Sequence, residues 1–322
     1  MPPRLARSSD KKQETMKIIL AGGTGMMGRI LQTHFLAQGS TVVVLTRGAA
    51  RDVGERLHFR YWDGRTREAW TNELEGATAV INLAGRSVDC RYNAANQAAI
   101  RNSRVDATNV LGEAIERCIV PPTVWINLST ATIYRHAEDR PMDAESGEVG
   151  SGFSVSVARA WEAVFFAHPR EGVRQVAVRC AMVFDRGAGA FPRFAQLTRL
   201  GLGGYHGNGR QYVSWVHGAD VARFFQWLID TPRISGVIDL AAPNPLPERD
   251  LMRELRDRIH PLVAFNVPRW MLGIGAFFLR TEPELVLKSR RVVPTQALRE
   301  GFSFLHPTIT SALDELLVRR AQ

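Results

Sequence analysis

The stretch Lys17-Ile-Ile-Leu-Ala-Gly-Gly-Thr-Gly-Met-Met-Gly28 constrains this chain more than any other. Ile18 to Ala21 is an apolar run of strand length, and it stops at Gly22. Gly23, Gly25 and Gly28 follow, interleaved with Thr24, Met26 and Met27. Ile30, Leu31, Phe35 and Leu36 then recur at helical spacing. Strand, glycine-rich turn and helix together form a cradle for a dinucleotide pyrophosphate. Glycines let the backbone turn tightly and come close to the phosphates, and the open N–H groups of the first helical turn meet the negative charge. A glycine triplet alone also occurs in purely structural turns. Here a second apolar strand, Thr41 to Leu45, follows at the distance a βαβ unit requires.

The alternation continues. Strand-like runs at 57–62, 79–83, 124–128 and 176–179 are separated by helical patterns at 94–118 and 154–167. The Pro121-Pro122 pair stops the first of these helices. The pattern predicts an α/β protein: a doubly wound parallel sheet of the dinucleotide-binding Rossmann type, with helices on both faces. With 322 residues the chain has room for a large core and for one large domain or two smaller ones. After Phe184 the rhythm changes to a segment rich in Gly, Arg and aromatics, including Gly201-Leu-Gly-Gly-Tyr-His-Gly-Asn-Gly-Arg210. The expected organisation is a disordered extension (1–15), a Rossmann domain (16–185, with 215–242 returning to the sheet), and a smaller, mostly helical substrate lobe (186–214 and 243–322).

Composition narrows the function classes. The net charge is +9, but the basic residues are dispersed and no nucleic-acid motif accompanies them, so the charge suits an anionic cofactor better than a specific nucleic acid. The longest apolar candidate for a membrane span, Trp270 to Leu279, is too short and contains Gly273 and Gly275. Residues 1–15 are polar and basic, without the apolar core of a secretory signal. Cys90, Cys118 and Cys180 show no paired spacing, and no His/Cys/Asp/Glu cluster has metal-ligand spacing. A cytoplasmic protein acting on a small molecule, without membrane or metal, is expected; a homodimer stays open.

The residue that ends the second strand reads the adenosine ribose. A carboxylate there would bond the 2′-hydroxyl of NAD and repel the 2′-phosphate of NADP, which an arginine suits. This chain has Thr46-Arg47-Gly48, with Arg51 nearby and no acid before Asp52. NADP is therefore the expected cofactor, with Arg47 forking onto the phosphate. Asp63, after the third strand, either bonds the adenine amino group or serves as a turn or cap residue.

Six motifs remain: Ala21-Gly-Gly-Thr-Gly-Met-Met-Gly28, Val80-Ile-Asn-Leu-Ala-Gly85, Ile100-Arg-Asn-Ser-Arg104, Gly207-Asn-Gly-Arg-Gln-Tyr-Val-Ser-Trp-Val-His217, Ala241-Ala-Pro-Asn-Pro245 and Gly301-Phe-Ser-Phe304. On these the chain resembles the extended short-chain dehydrogenase/reductases over residues 16–318. Within them it is similar to the atypical NAD(P)-dependent epimerase branch that carries a C-terminal domain of unknown function. The resemblance implies that Leu83, Ala84 and Gly85 end a strand beside the cofactor. It implies that Arg104 faces the cofactor from the next helix, that Ser129 and Thr130 stand at the mouth of the site, and that Val183 lies near the nicotinamide.

One departure bears on chemistry. Active members of this superfamily use a tyrosine as general acid/base and a lysine four residues later, which lowers the tyrosine pKa and holds the ribose. Anchoring on Trp161-Glu162 puts Ser154 and Ala158 at those positions, and a shift by one offers Arg159 but no tyrosine. Thr130 matches the substrate-orienting serine or threonine. Tyr134 matches an aromatic next to the substrate, either a proton donor or a pocket wall. His136 is expected to be exposed, His217 structural beside a helix-capping Asp220, and Arg210 either an anion-binding or a plain loop residue. Two functions compete: an NADP-dependent oxidoreductase or epimerase-like enzyme with displaced acid/base machinery, and a non-catalytic NADP(H) sensor.

Overall fold

The computed structural model describes residues 15–268 and 288–318. The apolar run Trp270 to Leu279 and residues 1–14 of the expected extension lie outside them. Chain order begins β1 (Lys17–Ala21), α1 (Met26–Ala37), β2 (Thr41–Thr46), β3 (Arg51–Val53), β4 (Leu57–Tyr61), β5 (Ala79–Asn82), α2 (Ala94–Ile115) and β6 (Val124–Thr130). It continues through α3 (Phe153–Phe166), β7 (Arg174–Cys180), β8 (Met182–Phe184), α4 (Phe191–Leu197), β9 (Tyr212–Val213), β10 (Trp215–His217), α5 (Gly218–Asp230) and β11 (Gly236–Leu240). The lobe closes with β12 (Leu246–Pro247), α6 (Glu248–Ile259), α7 (Thr295–Arg299) and α8 (Ile309–Leu317).

Eight strands form one sheet in the order β11-β7-β6-β5-β1-β2-β4-β3. All its pairings are parallel except β3 with β4. The expected doubly wound sheet is therefore present. The chain runs outward from β1 through β2 and β4, returns to lay β5 on the other side of β1, and continues outward again. The reversal between β1 and β5 opens a crevice at the carboxyl ends of these strands, where open α/β sheets bind ligands.

Both faces of the sheet are covered, and the period of two along each strand sorts residues between two cores. Ile18, Leu20, Val42 and Val44 pack with Phe35 of α1 and Phe225 of α5. Ile19, Ala21, Val43 and Leu45 pack with Leu111 of α2 and Phe165 of α3. A third cluster, with Phe191, Trp215, Leu251, Leu255, Leu313 and Leu316, is the core of the C-terminal lobe. Two short ladders stand apart from the large sheet: β8 with β10, and β9 with β12. Strand β3 was not expected; all three of its residues are exposed, so hydrophobic periodicity leaves no trace of it. Among the described residues no helix is long and apolar enough to cross a membrane, and no cluster of His, Cys, Asp or Glu could hold a metal ion.

Candidate cofactor and active site

The glycine loop is dictated by close backbone approach. A Cβ on Gly28 would fall 1.8 Å from the carbonyl oxygen of Gly23, so no other residue fits there without moving the loop. Gly22 adopts φ +73°, and a Cβ on it would fall 2.8 Å from the Ala84 Cα. The ends of β1 and β5 are thus pressed together at the crevice. Gly25 differs: a Cβ there would meet nothing within 4 Å. It is the N-cap of α1, it has no side-chain cap, and the first turn carries no acid. The helix therefore presents bare N–H groups to open space. Thr24 is exposed, and its carbonyl accepts from Arg29 at 3.2 Å. Met26 and Met27 face inward onto the main core.

The end of β5 is held by a buried polar network absent from the sequence reading. Asn82 Oδ1 accepts the Ala84 N–H at 3.0 Å, and Asn82 Nδ2 donates to Thr108 Oγ1 at 2.9 Å and to Asn127 Oδ1 at 2.7 Å. Trp161 Nε1 also donates to Thr108 Oγ1, at 2.9 Å. All four polar partners lie on different elements, and each satisfied bond fixes the position of Ala84 and Gly85. The Leu83 N–H continues the β1 ladder through Ala21 O at 2.9 Å. Arg104 does reach this strand end: a Cβ on Gly85 would fall 3.0 Å from its Cζ. It is not a solvated surface arginine, because its guanidinium lies 5.2 Å over the Trp161 ring and donates to Ile100 O and Arg86 O. Burial pushes its pKa down to about 10, partly opposed by the nearby Tyr92.

At the end of β2, Arg47 is exposed beside Thr46, whose Oγ1 accepts the Gly48 N–H at 3.3 Å. Asp52, the first acid after it, is engaged with Arg60 at 2.7 Å and His58 at 2.8 Å on the β3–β4 hairpin. Asp63 takes the turn role of its two alternatives. Its Oδ1 accepts from the N–H groups of Arg65 and Thr66, and its Oδ2 from Thr66 Oγ1. These bonds hold its pKa below the ordinary carboxylate value against the opposing cost of burial.

The catalytic side requires two corrections. Ser129 is buried, and its hydroxyl donates to Glu162 Oε1 at 2.6 Å instead of facing the crevice. Tyr134 is fully buried, and its hydroxyl donates to Asp239 Oδ1 at 2.8 Å and accepts from Arg179 at 3.1 Å. Sealed in this network, it does not fit the proton-donor alternative. Arg179 completes the chain through a two-pronged pair with Glu162, at 2.9 and 2.7 Å. Ser129, Glu162, Arg179, Tyr134 and Asp239 thus link β6, α3, β7 and β11 in one buried network. Burial, with the Asp239 charge, drives the Tyr134 pKa well up; burial raises that of Asp239 to about 7. Thr130 remains partly accessible at the end of β6, its Oγ1 accepting the Thr132 N–H at 3.1 Å. On α3, Ser154 is half-buried, whereas Ala158 is fully buried among Ala131, Ile133, Tyr134 and Val155. No cation stands at the position of the usual lysine. Val183, on β8, is largely absorbed into the main core.

The helix-capping expectation for Asp220 is also corrected. His217 is the N-cap of α5, with Nδ1 accepting the Ala219 N–H at 3.2 Å. Asp220, fully buried, instead accepts the N–H groups of Leu305 and His306 at 2.7 and 2.9 Å. His136 is exposed, and Arg210 is paired with Glu138 at 3.3 Å. A cavity of about 1350 Å³ lies behind the glycine loop between α1 and α5, lined by His34, Arg223, Trp227 and Phe302 among others, and not over the strand ends.

The model of the NAD dependent epimerase/dehydratase family matches residues 18–239. The chain belongs to this family. A second model, for a domain of unknown function (DUF1731), matches residues 267–316. Among curated relatives, epimerase family protein SDR39U1 of Bos taurus is 29% identical, covering 94% of this chain and all of its own length. Epimerase family protein Mb2239 of Mycobacterium bovis is 30% identical, covering 92% and 96%. The crystal structure of human epimerase family protein SDR39U1 with NADPH superimposes with a TM-score of 0.82 at 26% identity, covering 94% of this chain and 99% of that one. A nucleoside-diphosphate sugar epimerase from Corynebacterium glutamicum gives 0.76 at 26% identity, with this chain spanning 58% of that protein.

Proposed function

We propose that this family member binds NADP(H) and acts as an oxidoreductase or epimerase-like enzyme on a small molecule. One observation carries the reading: α1 opens with an uncapped N-terminus beside the empty space at Gly25, and Arg47 stands exposed at the end of β2. The first fits a pyrophosphate and the second a 2′-phosphate. The human relative crystallised with NADPH supports the same assignment. When bound, the reduced nicotinamide supplies a hydride. The chain's own residues do the rest. Backbone N–H groups of α1 hold the pyrophosphate, Ala84 and Gly85 let the cofactor lie against β5, and Thr130 orients a substrate oxygen.

A second reading is favoured by Ser154 and Ala158, which cannot replace the tyrosine and lysine of active relatives. Under it the chain binds NADP(H) without turnover and acts as a sensor. Calorimetry with NADPH, NADP⁺, NADH and NAD⁺, followed by absorbance of bound NADPH against a panel of carbonyl compounds, separates the two. Tight NADPH binding with oxidation by any compound establishes the enzyme. Tight binding with none establishes the sensor, and absent binding overturns both.

A further inference from the structure

Two branches of contacts on the end of β5 converge on one side chain, Trp161. It projects from α3 and is 4% exposed. One branch leaves the ring edge. Trp161 Nε1 donates to Thr108 Oγ1 at 2.9 Å, Asn82 Nδ2 donates to the same oxygen at 2.9 Å, and Asn82 Oδ1 accepts the Ala84 N–H at 3.0 Å. The other branch leaves the ring face, with the Arg104 guanidinium carbon 5.2 Å from the ring centroid. Arg104 Nη1 donates to Ile100 O at 3.0 Å and to Arg86 O at 3.1 Å, and the Arg86 N–H donates to Ser103 Oγ at 2.9 Å. The backbone from Ala84 to Arg86 is therefore pinned at both ends, and both pins lead back to the same indole.

This seat leaves half of the Arg104 guanidinium unspent. Both of its bonds run from Nη1, and among the described residues neither Nε nor Nη2 has a protein partner. Nη2 and Nε lie 3.1 and 3.3 Å from where a Gly85 Cβ would stand, so this edge of the fork lies over Gly85, where the absence of a side chain makes room for it. The arginine is half-buried and not sealed. A guanidinium with two donors spare and no carboxylate across from it among the described residues suits an anion from outside the chain. The crevice between β1 and β5 is bounded on the β1 side by the uncapped N-terminus of α1 and on the β5 side by Gly85 with Arg104. A pyrophosphate lying in that crevice has donors on both flanks.

We propose that Trp161 is a positioning residue for the cofactor. Its indole seats Arg104 over Gly85, and Arg104 grips the dinucleotide pyrophosphate from the β5 side, opposite the first turn of α1. The inference rests on the reading of the chain as an NADP(H)-binding protein, and it holds for the enzyme and the sensor alike. It gives α3, which carries Ser154 and Ala158 where the usual pair would stand, a task that requires no proton transfer.

The test is a double-mutant cycle on NADPH affinity in the full chain, with Arg104→Met, Trp161→Leu and the two combined. Calorimetry at several salt concentrations gives each dissociation constant and its salt dependence. Arg104→Met is expected to weaken NADPH about 10- to 100-fold and to flatten the salt dependence, since it removes charge-assisted bonds. Trp161→Leu should weaken NADPH about tenfold and flatten the dependence likewise, yet add less than about threefold in the Arg104→Met background, because it acts through Arg104. A merely structural loss of the indole would produce neither the flattening nor the non-additivity. Trp161→Phe keeps a ring beneath the guanidinium and loses only the Nε1 donor, so it should retain the wild-type salt dependence, and it carries the test if Trp161→Leu fails to fold. Wild-type affinity and salt dependence in Arg104→Met, a Trp161→Leu loss that adds in full, or a flattened dependence in Trp161→Phe overturns the proposal and leaves NADP(H) binding intact. Failure of the wild type to bind NADPH instead overturns that reading, and the positioning role of Trp161 with it.

Discussion

At the residue scale, Arg47 and Asp63 show how far a side chain's role can be read from its place in the chain. Both follow strands that end at the crevice, and both were candidates for the adenosine half of the cofactor. Arg47 is exposed, so its fork of donors can reach a ligand. Asp63 spends its carboxylate on the turn at Arg65 and Thr66, a local role that its sequence neighbours permit but do not require. Arg47→Glu should weaken NADPH on the order of 100-fold, since it removes charge-assisted bonds and adds repulsion. NADH, which has a 2′-hydroxyl there, should lose no more than about threefold and may be compared in the same calorimetric titration. An equal loss for both dinucleotides would remove Arg47 from the 2′-phosphate. The glycines were the most legible residues of all, because the Gly28–Gly23 contact leaves no room for a Cβ and that requirement is written directly as sequence.

At the scale of elements, the buried network from Ser129 to Asp239 was invisible beforehand. Its members come from β6, α3, β7 and β11, and the bond between Tyr134 and Asp239 joins residues 105 apart in the chain. Local periodicity places each strand and helix but says nothing of which polar groups a fold brings together in its interior. The same limit hid the role of Asn82, whose partners lie on other elements. The network has a pH signature. Asp239 is raised from an ordinary 3.8 to about 7, chiefly by burial. Between those values the folded state keeps a proton that the unfolded chain has released, so stability is full below about pH 4 and declines as pH rises towards about 7. The decline attributable to Asp239 is on the order of a few kcal/mol, at about 1.4 kcal/mol per pH unit. Asp239→Asn should flatten it. Urea unfolding of both proteins across that range measures the difference, and parallel curves would show that Asp239 is ionised throughout.

At the scale of the whole molecule, the sheet was legible and the seam between sheet and lobe was not. Buried parallel strands announce themselves as apolar runs such as Ile18 to Ala21, whereas among the described residues no strand ladder that a period could reveal pairs the lobe with the large sheet. The seam is instead made of side chains from α5. Asp220 grips the backbone of Leu305 and His306; Arg223 donates to Ser303 O at 2.7 Å; His217 contacts Glu315 at 3.0 Å; and Phe302 packs on Phe224 and Trp227. Asp220 is the member with no exposed surface, and its removal leaves two part-buried N–H groups without their acceptor. Asp220→Ala is therefore expected to cost about 2–4 kcal/mol in urea unfolding, well above a typical surface substitution. Limited proteolysis should show new cleavage between Phe302 and Pro307 before the Rossmann sheet is attacked, because the loss is at the seam and the two sheet cores are untouched. A cost below about 1 kcal/mol with no change in cleavage would mean that the aromatic contacts of Phe302 hold the seam by themselves, and that the carboxylate at the first turn of α5 only satisfies amides that water could reach.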